Sequence, residues 1–368
     1  MSTVQTGPET EARHFDGALL EKIKGRRFYQ KIDLPDGSTT NGKADHRSDP
    51  ALLGLDDGSL CDRAFLDIAS NDGFWAFWAE RQGASRALAI DVEKYEHYDW
   101  GMHGVPPALI GKEAKNENFD QLHALFQSSV ERQHLSVYDL DPAVQGLFDV
   151  SVCYGLLYHL RHPLLAIDKV RAVTTGMAVF NTHTFLARRD LPYAVFFLDD
   201  VFADSITNWT GASESCVVHW MRDAGFREVF VEKQERPQPG SKVFSKIYAG
   251  CVSDEHILRM QKNPRFRHCD DAYYRRSRHA IERAMAGAFE DTAVIERTVA
   301  ETIDARLAGI DARVADAVRI AVERQITPAV MKTLEEQEEE ARRRFWPRLA
   351  YRRARKRLRI LAERVRRE

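Results

Sequence analysis

The residues with the clearest chemistry are Asp91 and the turn Ala69-Ser70-Asn71-Asp72-Gly73 ahead of it. The turn follows the short run Phe65-Leu66-Asp67-Ile68, and Phe74-Trp75 resume an apolar pattern at helical spacing. Such a corner leaves backbone N–H groups at a helix N-terminus without intrahelical partners, and these suit a ligand's carboxylate or hydroxyls. Asp91 closes a second apolar run, Ala87-Leu88-Ala89-Ile90. An acidic residue about twenty positions beyond the turn, at the tip of the next strand, is placed to accept hydrogen bonds from ribose hydroxyls. The expected chemistry is the binding of a nucleoside cofactor.

Positioning these groups takes alternating strands and helices. Helical periodicity runs through Phe119, Leu122, Leu125 and Phe126, and a short strand is expected over 135–140, ending Tyr138-Asp139-Leu140. Phe148–Tyr154 reads as a buried strand, Met177–Phe180 as a fifth, and Val229–Val231 with Lys246–Ala249 as a closing antiparallel pair. The alternation predicts an α/β fold: a doubly wound, Rossmann-like sheet of seven mostly parallel strands, with its ligand crevice at their carboxyl ends. Asp67, Asp91, Asp139 and Tyr154 all fall at that edge. The aromatic loop Tyr95–Trp100 offers a wall for a base or a substrate.

The expected organisation is a disordered stretch over 1–20, a lid or packing segment over 21–60, the catalytic domain over 61–252, a helical extension over 253–344 and a basic tail over 345–368. Of the 368 residues 44% are hydrophobic, which supplies a sizeable core, and the formal net charge of −2 gives the whole chain no polyanion character. Five cysteines without C-x-x-C spacing read as reduced thiols in a cytoplasmic protein. No His/Cys/Asp cluster has metal-ligand spacing, so no metal is expected.

The turn resembles the first motif of class I S-adenosylmethionine-dependent methyltransferases in a Ser-Asn-Asp-Gly variant, with Ala69 and Asn71 standing where that motif has glycines. The phrase Leu157-Tyr158-His159-Leu160-Arg161-His162-Pro163, then Asn208-Trp209-Thr210, Ser213 and Ala224-Gly225-Phe226, are similar to the wobble-uridine tRNA methyl/carboxymethyltransferase family and its shorter glycan and small-molecule relatives. The resemblance covers residues 28–252. It implies S-adenosylmethionine as cofactor, held by Asp67, Ala69, Asn71, Gly73, Asp91, Asp139, Leu140 and Tyr154, with Asp139 on the adenine's exocyclic amine. The tRNA enzymes of the family carry a long domain ahead of the motif, where this sequence has about sixty residues, and the catalytic half shows no basic cluster with stacking aromatics. The expected acceptor is therefore a hydroxyl-bearing glycan or small molecule, with RNA less favoured. A cofactor-binding scaffold acting through the helical extension is the non-enzymatic alternative.

Methyl transfer to a hydroxyl gains from a general base within hydrogen-bond reach. His159 is the first candidate, His183 the second, and Tyr158 could orient the acceptor. Trp209 and His162 are expected to line the acceptor pocket.

Beyond Cys251 the composition shifts. Val299, Ile303, Leu307, Ile310, Val314 and Val318 recur in a 4-4-3 pattern, predicting a coil and self-association through 295–335. The stretch Arg348–Arg367 has ten Lys or Arg and one Glu, with Tyr351, Ala354, Leu358, Leu361 and Val365 forming one apolar stripe. A basic helix with such a stripe reads as an interfacial segment on an anionic membrane surface, making the protein peripheral on the cytoplasmic membrane. Replacing Leu358 and Leu361 with Ser should largely abolish flotation with anionic liposomes, at about 1.5–3 kcal/mol per buried Leu. Binding to RNA should barely respond, because a phosphate-backbone contact needs the arginines and not the stripe. Unchanged flotation with salt-sensitive RNA binding would reverse the assignment.

Overall fold

A computed structural model describes residues 15–56, 58–100, 104–111, 116–185, 188–197, 207–237 and 244–286. The expected coil and basic tail lie outside these residues. The chain divides into two compact units at Ala284/Met285, and the sheet with its helices forms the first.

The chain opens with α1 (Gly17–Lys24), whose Asp16 cap accepts from Ala18 N and Leu19 N at 2.9 and 3.1 Å. The polar N-terminal stretch expected over 1–20 therefore gives way to a helix before its end, burying Leu20 and Ile23. Next come α2 (Asp49–Leu53), β1 (Ala64–Ile68), α3 (Phe74–Arg81), β2 (Arg86–Asp91), α4 (Asn116–Phe126) and β3 (Glu131–His134). The middle of the chain supplies α5 (Pro142–Gln145), β4 (Phe148–Tyr154), α6 (Pro163–Val173), β5 (Thr174–Phe185) and a small hairpin, β6 (Ala194–Phe196) with β7 (Thr210–Ser213). Then follow α7 (Glu214–Asp223), β8 (Glu228–Glu232), β9 (Arg236–Pro237), β10 (Phe244–Cys251), α8 (Asp254–Lys262) and β11 (Phe266–His268).

Among the described residues the main strand order is β11-β8-β10-β5-β4-β1-β2-β3. The pairs from β3 through β5 are parallel, and β10 runs antiparallel to both β5 and β8. Six of the seven expected strands stand where the sequence places them and the third lies earlier, with β11, the β6–β7 hairpin and β9 added to them. From β3 the chain returns across the sheet to β4, so the order reverses between β1 and β4. Ligands bind at such a reversal, outside the carboxyl ends of the strands. Ile68 pairs with Cys153 there, which brings the turn after β1 beside Tyr154 and Gly155.

Strand parity decides what the turn can do. Phe65 packs into the layer shared with α3 and α4, while Leu66 and Ile68 face the layer of α6 and α7. Successive side chains point to opposite faces, so Asp67 lies on the α3 side. All residues from Phe74 to Ala79 are buried, because α3 is covered on its outer side by the segment 28–55. That segment is pinned by the fully buried Asp72, which accepts from Tyr29 N at 2.6 Å, Gln30 N at 2.8 Å and Asn118 Nδ2 at 3.0 Å. The lid or packing segment is thus bonded directly to the turn it covers.

Two sequence expectations differ from the structure. The third strand lies at Glu131–His134, and Val137–Asp139 form a 3-10 turn instead of a strand. Residues 253–284, read as the start of a helical extension, belong to the sheet unit. There β11 covers the edge of β8, and Arg267 joins Lys246 on the buried Glu214. A buried carboxylate needs such partners, and an open strand edge needs such a cover. No described helix is long and apolar enough to cross a membrane.

The Asp72 anchor is testable. Asp72→Ala strands two backbone donors, each costing about 1–3 kcal/mol when buried and unsatisfied. The variant should lose about 2–4 kcal/mol in urea denaturation and should be cleaved faster within 28–44 by a protease. An unchanged midpoint with unchanged cleavage would show that apolar packing alone holds the segment.

Candidate active site

The turn after β1 adopts a left-handed backbone at alternate residues: φ is 57° at Ala69, 51° at Asn71 and 91° at Gly73. A Gly-x-Gly-x-Gly run would take this path at no steric cost, whereas a residue with a Cβ gives up about 1–2 kcal/mol at each such position. Cross-bonds hold the strained path in place. Ser70 N donates to Ile90 O at 3.1 Å, Asn71 N to Asp91 Oδ2 at 2.9 Å and Gly73 N to Ser70 O at 2.8 Å. Gly73 is demanded by packing as well, since a Cβ there would sit 2.6 Å from the Phe119 ring and 2.7 Å from Phe77.

Several donors that the sequence left for a ligand are already engaged. Phe74 N donates to Gln30 Oε1 at 3.1 Å, and Ala76 N to Asp67 Oδ2 at 3.1 Å. Asp67 therefore ties β1 to α3, and burial with the nearby Asp91 raises its pKa to about 8. What the turn offers a ligand is acceptors. Ser70 Oγ and Asn71 Oδ1 are buried without a hydrogen-bond partner among the described residues. A ligand that donates from an ammonium or hydroxyls fits that cradle.

Asp91 accepts from Asn71 N and, through Oδ1 at 2.8 Å, from Val92 N, so each oxygen keeps capacity for a ribose hydroxyl. Burial raises its pKa. Tyr98 lies beside it: burial, then the Asp91 charge, holds the phenol above its usual value. Its ring stacks on Trp100 at 6.0 Å and 17°. Asp139 is exposed, with no side-chain partner among the described residues, on the 3-10 turn next in space. Leu140 is fully buried in the α6 layer, and its carbonyl accepts from Lys169 Nζ at 3.1 Å, so its role is packing.

Beyond β4, Gly155 turns the chain at φ 69°, and the Tyr158 hydroxyl comes back over it. Tyr158 stacks flat on His183, with centroids 3.8 Å apart and an interplanar angle of 2°, and its ring centroid lies 4.2 Å from that of His159. His159 Nδ1–H donates to Thr207 O at 2.9 Å, which fixes the tautomer and leaves Nε2 with a lone pair. Burial lowers the pKa of His159, and burial with His159 nearby lowers that of His183 to about 4. Both imidazoles are neutral at physiological pH. Trp209 N donates to Tyr158 O at 2.8 Å, and the Arg161 guanidinium lies 5.1 Å above the Trp209 ring. His162 is exposed, its backbone N–H donating to the Tyr138 hydroxyl at 3.1 Å. Tyr154 packs edge-on against Trp75 at 5.0 Å and against His46 at 5.2 Å.

No protein-family model matches the chain. Over 176 residues it is 26% identical to the tRNA U34 carboxymethyltransferase of Desulforapulum autotrophicum, covering 46% of this chain and 46% of that protein. Over 170 residues it is 25% identical to the tRNA U34 carboxymethyltransferase of Desulfotalea psychrophila, covering 45% and 46%. The likeness is to the class I S-adenosylmethionine-dependent methyltransferases. The chain spans about half the length of the curated relatives it matches. Among solved structures, the N-terminal domain of EvdMO1, in the presence of SAH and D-fucose, overlaps with a TM-score of 0.45 at 16% identity, covering 63% of this chain and 94% of that one. Magnesium protoporphyrin IX methyltransferase from Synechocystis PCC 6803 overlaps with a TM-score of 0.36 at 14% identity, covering 56% and 77%.

Ala69, Asn71, Gly73 and Asp91 lie in or against the turn after β1, and Tyr158, His159, His183 and Trp209 cluster at or beyond the carboxyl ends of β4 and β5. Asp67 and Leu140 are buried, and His162 is exposed. Sequence reading named the aromatic loop that carries Tyr98, but it did not single out Gln30, His46 and Tyr138, which the structure brings to the same region. Gln30 and His46 lie in a segment without periodicity, and only long-range bonds reveal their place.

Proposed function

We propose that this chain is an S-adenosylmethionine-dependent methyltransferase that methylates a hydroxyl of its acceptor, with His159 as general base. The observation that carries the reading is the His159 tautomer. The Thr207 carbonyl holds Nδ1–H, so Nε2 is an unprotonated acceptor at the carboxyl end of β4. Bound S-adenosylmethionine supplies an electrophilic methyl group. His159 Nε2 takes the acceptor's hydroxyl proton, Tyr158 orients the acceptor beside it, and Trp209 with Arg161 walls the pocket. Asp91 holds the ribose hydroxyls, Asp139 the adenine's amine, and Asn71 with Ser70 the donors at the amino-acid end.

The proposed acceptor is a glycan or another hydroxyl-bearing molecule. The apolar stripe on the basic C-terminal segment supports a place at the cytoplasmic face of a membrane, and the 4-4-3 pattern supports self-association. A second reading, methylation of RNA, is favoured by the alignment to the tRNA U34 carboxymethyltransferases. Turnover against a panel of glycan and RNA acceptors separates the two.

Two measurements test the core of the proposal. Asp91→Ala should weaken S-adenosylmethionine binding by roughly 2–3 kcal/mol in calorimetry, because charge-assisted hydrogen bonds are lost. Equal affinity in the variant removes the cofactor assignment. His159→Ala should slow methyl transfer by about a hundredfold. The sign of the pH dependence comes from burial. A lowered pKa keeps His159 neutral further into acid, so the acid limb of the rate should lie below the ordinary histidine value of about 6.5. That limb should vanish in His159→Ala; a slow variant that retains it would return His159 to holding Thr207.

A further inference from the structure

We infer that Asp99 is a positioning residue that couples occupancy of the nucleoside end to the wall of the acceptor pocket. The inference rests on the proposed cofactor site. Asp99 Oδ2 accepts from the Tyr138 hydroxyl at 2.6 Å and from Arg161 N at 2.8 Å. Its backbone carbonyl accepts from Trp209 Nε1. The Tyr138 hydroxyl in turn accepts from His162 N at 3.1 Å. One residue thus ties together the loop after β2, the 3-10 turn carrying Asp139, the loop after β4 and the segment leading into β7.

The two ends of this linkage matter most. On the nucleoside side, Asp99 holds the hydroxyl of Tyr138, the residue next to Asp139 on the 3-10 turn Val137–Asp139. On the acceptor side, Trp209 is bonded to the Tyr158 carbonyl, and Arg161 stacks on its indole. A nucleoside whose adenine amine is held by Asp139 fixes the 3-10 turn, and Tyr138 on that turn fixes Asp99 through its hydroxyl. The loop after β4, with His159, and the Trp209 wall then respond through direct bonds. The contacts form a continuous physical path with named partners at every step, which a coupling between sites needs. The consequence is order: the acceptor wall is set by the bound cofactor.

The test uses the full chain and S-adenosylhomocysteine as the probe. The Trp209 contribution to fluorescence, obtained by subtracting the Trp209→Phe variant, should change on saturation with S-adenosylhomocysteine. In Asp99→Ala that change should be lost while calorimetry still shows binding. Asp99→Asn should keep it, because one carboxamide oxygen can accept both bonds now made to Oδ2. Tyr138→Phe, which removes a single hydroxyl from the linkage, should reduce it, and serves where Asp99→Ala fails to fold. A wild-type response in both Asp99→Ala and Tyr138→Phe would overturn the inference, as would a loss in Asp99→Asn equal to that in Asp99→Ala. Absence of S-adenosylhomocysteine binding to the unaltered protein would remove the cofactor assignment itself, and calorimetry tells that failure apart from loss of coupling.

Discussion

The left-handed turn between β1 and α3 is the constraint on which the rest of the structure depends. Its backbone crosses the unfavourable region at Ala69 and Asn71, where a Cβ makes the path costly, and again at Gly73. Strain of this kind persists only where surrounding structure over-determines it. Here Asp91 clamps the turn from β2, Gln30 from the covering segment, and Asp67 clamps the first turn of α3 from beneath. The covering segment is in turn fixed by Asp72. The turn and the segment that covers it therefore form one bonded unit, and that segment is part of the scaffold that keeps the turn in its strained form.

Four aspartates near the crevice look alike in sequence and differ in work. Asp67 accepts a backbone donor of α3, Asp72 two backbone donors and the Asn118 amide, Asp99 joins loops, and Asp91 holds the turn through Asn71 N. Geometry sorts them, since each has a neighbour whose N–H or O–H the fold brings within reach. The same sorting applies to the histidines. His159 is oriented by a carbonyl, His183 is stacked on Tyr158, and His46 is bonded to Asp49 at 3.1 Å while packing on Tyr154.

Much of this is legible in the sequence, for a physical reason. Buried strands read as apolar runs, and the corner after Ile68 carries its own small and polar residues, which locates six of the seven central strands and Asp91. The third strand is misplaced by sequence reading because Leu135, Val137 and Leu140 offer a more apolar pattern than Glu131-Arg132-Gln133-His134. The true strand lies at the sheet margin, where exposed polar side chains are favoured. β11 escapes notice because three residues carry no period. The bonds that build the site from a distance, Gln30 to Phe74, Asp72 to Tyr29 and Asp99 to Tyr138, join residues 39–44 positions apart. No local pattern encodes such pairs.

The electrostatics of the crevice arise from these placements. Asp67 is buried and Asp91 half-buried, and each is raised above the ordinary carboxylate range, Asp67 in part by Asp91 itself. Burial disfavours the ionised form of each, and a nearby like charge disfavours it further. A cation entering the crevice reverses the balance, because an opposite charge favours the ionised carboxylate. The neutral imidazoles at the far end add no positive charge to oppose that cation. The turn therefore favours positive charge nearby, while His159 stays a neutral imidazole. On the proposed reading, transfer of a methyl group from a cationic donor to a hydroxyl would use that division, since a protonated His159 could not take the acceptor's proton.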